Sequence, residues 1–174
     1  MTIEIVPIHS DHIEGFHAAL DTVARESRRL AMTEAPPIEQ TRIFVMTNIE
    51  RGFPQFVAVS LGEVVGWCDI IPKGMPSTRH CGVFGIAVLQ PFRGRGVARA
   101  LIGVTLSAAR AFGLQRIELT VHADNTRAMR LYERTGFVTE GVMRKARRID
   151  GRYRDVVIMA IADFDRWSAP AVKI

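Results

Sequence analysis

Apolar residues recur along the chain in two rhythms, and the switches between them mark the elements. Ile3, Ile5 and Ile8 bracket a first short strand, after which Asp11 and Glu14 form a capping-box pattern at a helix start. Ile13, Phe16, Leu20, Val23 and Ala24 then return at helical spacing and line one face. Glu34-Ala35-Pro36-Pro37 breaks that region; Pro37 suits the first turn of a second helix over 38–51, and Gly52 is placed to end it. Period two takes over at 55–61 and 64–71, with Gly62-Glu63 read as a tight hairpin turn and Pro72 as the stop. A polar loop over 73–79 leads to a strand over 80–90, in which Gly82 and Gly85 are candidate bulge positions.

Residues 97–112 read as an amphipathic helix, with Val97, Ala98, Leu101, Ile102, Thr105, Ala108, Ala109 and Phe112 on one face and Gly113 as terminator. A strand over 116–121 follows, then His122-Ala123-Asp124-Asn125, a short helix to Thr135 closed by Gly136, and two strands over 137–149 and 152–161. Asp150-Gly151 between those strands is a strong hairpin signal. The tail after Ala162 carries no assignment. This order predicts an α/β (α+β) fold, a mixed and mostly antiparallel sheet with one parallel βαβ crossover at its centre. No repeat or linker divides it, so residues 1–174 are expected to form a single domain.

Composition narrows the class. An apolar fraction of 48% with 24% charged residues is that of a globular chain. Neither an apolar run of about eighteen residues nor a signal-peptide pattern is found, which predicts a cytoplasmic protein without membrane contact. Cys68 and Cys81 stand in apolar runs at no metal-binding spacing, so buried free thiols and no metal are expected. A net charge of +5 invites nucleic acid, yet only Arg144-Lys145-Ala146-Arg147-Arg148 forms a cluster, and no aromatic residues interleave it for base stacking. No nucleic-acid partner is expected; an acidic ligand fits the charge better.

Arg93-Gly94-Arg95-Gly96-Val97-Ala98 carries the clearest chemistry. It lies between a strand and a helix, so backbone N–H groups and a helix N-terminus would converge on one point, as a phosphate-bearing ligand requires. A P-loop would end in Gly-Lys-Ser/Thr, and here Gly96-Val97-Ala98 offers neither lysine nor hydroxyl. A dinucleotide fingerprint keeps two of its glycines but has Arg99 at the third, although Glu118 stands at a suitable distance downstream.

The same six residues resemble, position by position, the Arg/Gln-x-x-Gly-x-Gly/Ala signature of the GCN5-related N-acetyltransferase (GNAT) superfamily. Asn125-x-x-Ala128-x-x-Leu131-Tyr132-Glu133-x-x-Gly136-Phe137 is similar to the second half of its acetyl-CoA site, in the right order and at the usual separation. The resemblance covers residues 55–161 and implies a GNAT fold of about seven strands with a splayed strand pair. It implies acetyl-CoA as cosubstrate, no metal, and direct attack by a primary amine in a ternary complex. By that resemblance Arg93, Gly94, Arg95, Gly96, Val97 and Ala98 hold the pyrophosphate. Ile86, Ala87 and Val88 pair with the pantetheine arm, a bulge N–H polarises the thioester, and Asn125, Ala128 and Tyr132 touch the cosubstrate. Tyr132 stands where many members place the acid that protonates the leaving thiolate. Homodimers are common in the superfamily, and the last strands and tail are expected to pair subunits.

An ammonium acceptor must lose a proton before it attacks. Polyamine-type members often carry a glutamate in the strand where this chain has Val83. Glu118 and His122, which share a strand face with Thr120, are the candidate bases; Asp69 and Glu26 are further ones, and a water relay is an alternative. The stretches Arg116–Val121 and Arg148–Asp155 look like the branch containing bacterial amino-acid N-acetyltransferases, so an amino acid or short peptide is the expected acceptor. Arg25, Arg28 and Arg29 are candidate partners for its carboxylate. A protein N-terminus or polyamine acceptor, or an acetyl-CoA-binding module without transfer, are the alternatives.

Overall fold

Each switch of rhythm coincides with a change of element in the computed structural model, which describes residues 2–27, 30, 32–164 and 167. The order is β1 (Glu4–Pro7), α1 (Ile13–Ser27), α2 (Ile38–Arg51), β2 (Gln55–Ser60), β3 (Glu63–Pro72), β4 (Cys81–Val88), α3 (Val97–Phe112), β5 (Arg116–His122), α4 (Thr126–Arg134), β6 (Val138–Ile149) and β7 (Arg152–Ile161). The strands form one seven-stranded sheet in the order β1-β2-β3-β4-β5-β7-β6, antiparallel except where β4 meets β5 across the α3 crossover.

Each face of the sheet buries its own core. Leu101, Ile102, Leu106 and Ala109 of α3 pack onto Ala58, Cys68, Ile70, Phe84, Ile117, Leu119 and Met159. On the other face Ile13, Phe16, Leu20 and Val23 of α1, with Val45 of α2, cover Val57, Val64 and Trp67. At about 25 cal/mol per Å² of apolar area removed from water, these faces supply most of the driving force for closing the sheet. After β7, Phe164 and Trp167 pack on the α3 side. Trp167 donates Nε1–H to the Thr135 carbonyl at 2.9 Å, receives Arg110 on its own carbonyl at 3.2 Å, and packs edge-on against Phe164.

Several local expectations are corrected. The first capping box is made by His9 and His12 around a 3₁₀ turn, not by Asp11 and Glu14. The β2–β3 turn is centred on Leu61 and Gly62, both at positive φ (50° and 82°), one residue earlier than expected. Phe112 is exposed and meets Phe53 edge-on, while Leu106 takes a fully buried place on α3. Gly82 and Gly85 are not bulges, because β3 and β4 stay in continuous register from Gly66 opposite Val88 to Pro72 opposite Gly82. Their glycines answer to space. A Cβ on Gly82 would stand 2.5 Å from Ile70 Cγ2 and 2.8 Å from Leu114 Cδ1.

Gly82→Ala is therefore expected to cost about 1–3 kcal/mol by overpacking the end of β4. Gly74→Ala, with no atom within 4 Å of the new methyl, should stay within about 0.5 kcal/mol of the parent. Urea unfolding of the two variants side by side measures the difference.

Candidate functional site

The parallel pairing between β4 and β5 covers only three positions, Cys81–Arg116, Gly82–Ile117 and Val83–Glu118. Beyond Val83 the strands part. Lys73 N–H donates to the Cys81 carbonyl and Leu89 N–H to the Val65 carbonyl, so the odd residues of β4 turn their main-chain groups toward β3. By alternation the main-chain groups of Phe84, Ile86 and Val88 face the gap left by β5. Of the three residues expected on the arm of the cosubstrate, Ile86 and Val88 have that orientation. Ala87 does not: its main chain faces β3 and its side chain joins the α1 core. The open edge thus comes from the parting of two strands rather than from a bulge. An extended, amide-bearing ligand is what such an edge can accept.

The glycine-rich turn sits at the open end of that gap. Gly94 and Gly96 hold φ of 79° and 84°, in the left-handed region where a Cβ is costly. Gly96 is the N-cap of α3, and no side chain caps this helix. Its first N–H groups and the positive end of its dipole are therefore offered to an anion, worth about 0.3–1 kcal/mol in dipole energy alone. The residues thus fit a pyrophosphate. Arg93 is used differently than its place in the motif implies. Its Nε donates to the Val88 carbonyl at 2.7 Å, and its two terminal nitrogens fork onto Glu26 at 2.8 and 2.9 Å. A missed neighbour stands in its place: Arg127 Nη2 lies 3.4 Å from where a Cβ on Gly94 would be. Only the proximity of the two motifs in space reveals it.

On the far side of the gap, α4 begins with Asn125 as its N-cap, the side-chain oxygen accepting from Ala128 N–H at 3.4 Å. Asp124, the residue before it, meets Arg154 at 3.4 Å. Two turns on, the Tyr132 ring stacks edge-on against Phe84 (5.7 Å) and Phe137 (5.9 Å). Phe84 is the first β4 residue past the last β5 pair, so Tyr132 stands at the point where the strands part. Burial, with Cys68 nearby, raises its phenol above the usual value, and it stays protonated, a donor rather than a base.

The candidate bases separate clearly. Glu118 is bound by Lys73 and by Arg116, the latter at 3.3 Å. Burial pushes its pKa up, but hydrogen bonds from those two cations outweigh it and hold the carboxyl below the usual range. A carboxylate stabilised in this way is a poor proton acceptor. Glu26 is committed to Arg93. His122 is buried on β5. Asp69, on the same sheet face as Glu118, is held up at about 7 by burial alone.

A cleft of about 520 Å³ is lined by Arg25, Thr33, Arg148, Ile149 and Asp150, between the end of α1 and the tip of the β6–β7 hairpin. Arg25 also pairs with Asp21 and Glu34, and Arg148 lies over the Tyr153 ring. Arg28 and Arg29 lie outside the described residues. Among the described residues no group of three or more His, Cys, Asp or Glu is placed to hold a metal ion, and no helix is long and apolar enough to cross a membrane.

Comparison with known proteins agrees with this geometry. The chain is 37% identical over 110 residues to the L-amino acid N-acetyltransferase AaaT of Escherichia coli (strain K12), covering 63% of this chain and 68% of that one. It is 39% identical over 115 residues to the spermidine N(1)-acetyltransferase of Vibrio cholerae, covering 66% and 64%. Among solved structures, a GNAT superfamily phosphinothricin acetyltransferase from Sinorhizobium meliloti in complex with AcCoA superposes with a TM-score of 0.85 at 18% identity, over 92% of this chain and 88% of that one, a likeness of fold. Residues 19–137 match the Acetyltransferase (GNAT) family, and the chain belongs to it.

Proposed function

We propose that this protein moves the acetyl group of acetyl-CoA to the primary amine of a small acceptor that carries a carboxylate, an amino acid or short peptide, by direct attack in a ternary complex. Acetyl-CoA-dependent N-acetyl transfer follows from the family; the acceptor is our reading. The observation that carries the reading is the unpaired edge of β4 running from Tyr132 to an uncapped, glycine-bearing helix start. A thioester on a long amide arm with a pyrophosphate at its end matches that order of features.

In this reading the Gly94–Gly96 turn and the α3 N-terminus bind the pyrophosphate, with Arg95 and Arg127 beside it. The Ile86 and Val88 main chain aligns the arm, and an N–H on that edge donates to the thioester oxygen as charge develops there. Tyr132 gives its proton to the departing sulfur. A thiol with a pKa near 8.5 gains from this help without depending on it. The acceptor's carboxylate is drawn by Arg25 and Arg148, and the basic chain works against free polyamines. The relative named as an L-amino acid N-acetyltransferase supports the amino-acid reading; the spermidine relative is the reason polyamines belong in its test.

Thiol release from acetyl-CoA should be fastest with amino acids or short peptides in a panel that also holds polyamines and aminoglycosides. Fastest release with a polyamine overturns the acceptor class, and cosubstrate binding without release on any acceptor overturns transfer. Arg148→Ala should raise KM for the best acceptor about tenfold, the loss of one charge-assisted contact, with acetyl-CoA affinity unchanged by calorimetry.

Tyr132→Phe should lower kcat by about 10- to 100-fold while the acetyl-CoA Kd moves less than about twofold. Steady-state rates beside equilibrium binding separate the two effects, and unchanged kcat removes Tyr132 from the chemistry.

A further inference from the structure

Asp69 is a carboxylate with no partner of its own. It projects from β3 on the α1 face of the sheet, partly buried, and no described residue gives it a hydrogen bond or an ion pair. Its register partner on β4 is Gly85, and a Cβ there would stand 2.9 Å from Asp69 Oδ1. The carboxylate therefore leans across β4, over Gly85, which has no side chain to block it. Beyond β4 lies the gap, opened two residues earlier where pairing with β5 ends.

A second observation lies on the opposite side. Gln55 of β2 is the cross-strand partner of Asp69, and its Nε2 is buried without a hydrogen bond, while its Oε1 accepts from Asn48 of α2 at 2.8 Å. One unmet amide donor on β2 thus stands at the register position next to Asp69. Natural interiors rarely keep such groups unless they serve a purpose.

We propose that Asp69 is the general base that takes the proton from the acceptor's ammonium group, and that Gly85 is glycine so that the carboxylate can reach across β4 to the gap. This rests on the transferase reading above. One proton passes from nitrogen to Asp69 and on to solvent. The freed amine forms the C–N bond, the C–S bond breaks, Tyr132 gives the sulfur its proton so that it leaves as thiol, and the second proton lost by the nitrogen restores the phenol. The neighbouring charges are engaged elsewhere: Lys73 and Arg116 with Glu118, and Arg93 with Glu26, while His122 stands across the gap on β5. Burial alone sets the proton affinity of Asp69, at about 7, where a general base works best near neutral pH.

Asp69→Asn should lower kcat by about 100-fold or more with ordinary amines and leave acetyl-CoA affinity unchanged. Much of the loss should return with an acceptor such as an O-alkyl hydroxylamine, which is already neutral at pH 7. Gly85→Ala, which displaces the carboxylate, should show the same loss and the same rescue. An independent readout needs no substrate. In the folded chain Asp69 resists ionisation, so wild type forfeits stability as pH rises from about 4, the unfolded value, to about 7. Asp69→Asn should consequently unfold at a higher temperature than wild type at pH 8, and the two should converge near pH 4. If wild type transfers acetyl and Asp69→Asn matches its rate and pH profile, the assignment to Asp69 is overturned; if wild type transfers to no acceptor, the transferase reading itself fails.

Discussion

A sheet that stops pairing in its middle governs this molecule. Three positions of parallel pairing join β4 to β5, and past Val83 the two strands leave their edges open to each other. Main-chain N–H and C=O groups inside a protein need partners, so an interior edge of this kind needs a ligand or local substitutes. The closed end is fixed by packing, where Gly82 admits Ile70 and Leu114 so closely that a methyl would not fit. The open end is held by Arg93, which supplies the Val88 carbonyl with a donor and joins that point to Glu26 on α1. The elements around the gap follow from it: α3 must start at its mouth, α4 must flank it, and the faces beside it belong to different helices.

The two faces then divide the labour. On the α3 side, aromatic rings of Phe84, Tyr132 and Phe137 interlock edge-to-face, an arrangement worth about 0.5–1.5 kcal/mol per pair beyond buried area. That keeps a phenol protonated and fixed in place. On the α1 side the polar residues gather: Gln55, Asp69, Glu118, Thr120 and His122 all point there by strand alternation. Two carboxylates on one face are thereby given opposite characters. Glu118 is kept ionised by cations, whereas Asp69 is kept reluctant to ionise by its surroundings. Environment rather than residue type separates them.

Elements whose signals are local were legible from sequence. The helical faces of α1 and α3, the Asp150-Gly151 turn and the two glycine-bearing motifs all depend on residues within a few positions of one another. What was not legible depends on register between strands. Gly82 and Gly85 read as bulges because a glycine in a strand looks the same whether it bends the chain or admits a neighbour. Asp69 looked no better than Glu26 until Gly85 and Gln55 were found opposite it. Arg93 reads as a phosphate ligand from its motif, and only the position of α1 shows its side chain turned toward Glu26. Asp124 meets Arg154 on β7, about thirty residues away in sequence, a pairing that local spacing does not show.

Trp167 has an implication for how the chain end should be regarded. Its indole occupies the space a Cβ on Gly136 would need, at 2.9 Å, while it donates to the carbonyl of Thr135, the C-cap of α4, and receives Arg110 from α3. A terminal segment is ordinarily the part of a domain that can be trimmed or extended freely. Here it is a keystone wedged between the crossover helix and the helix that carries Tyr132, so a cut made before Trp167 would remove a wall of the core rather than a loose end.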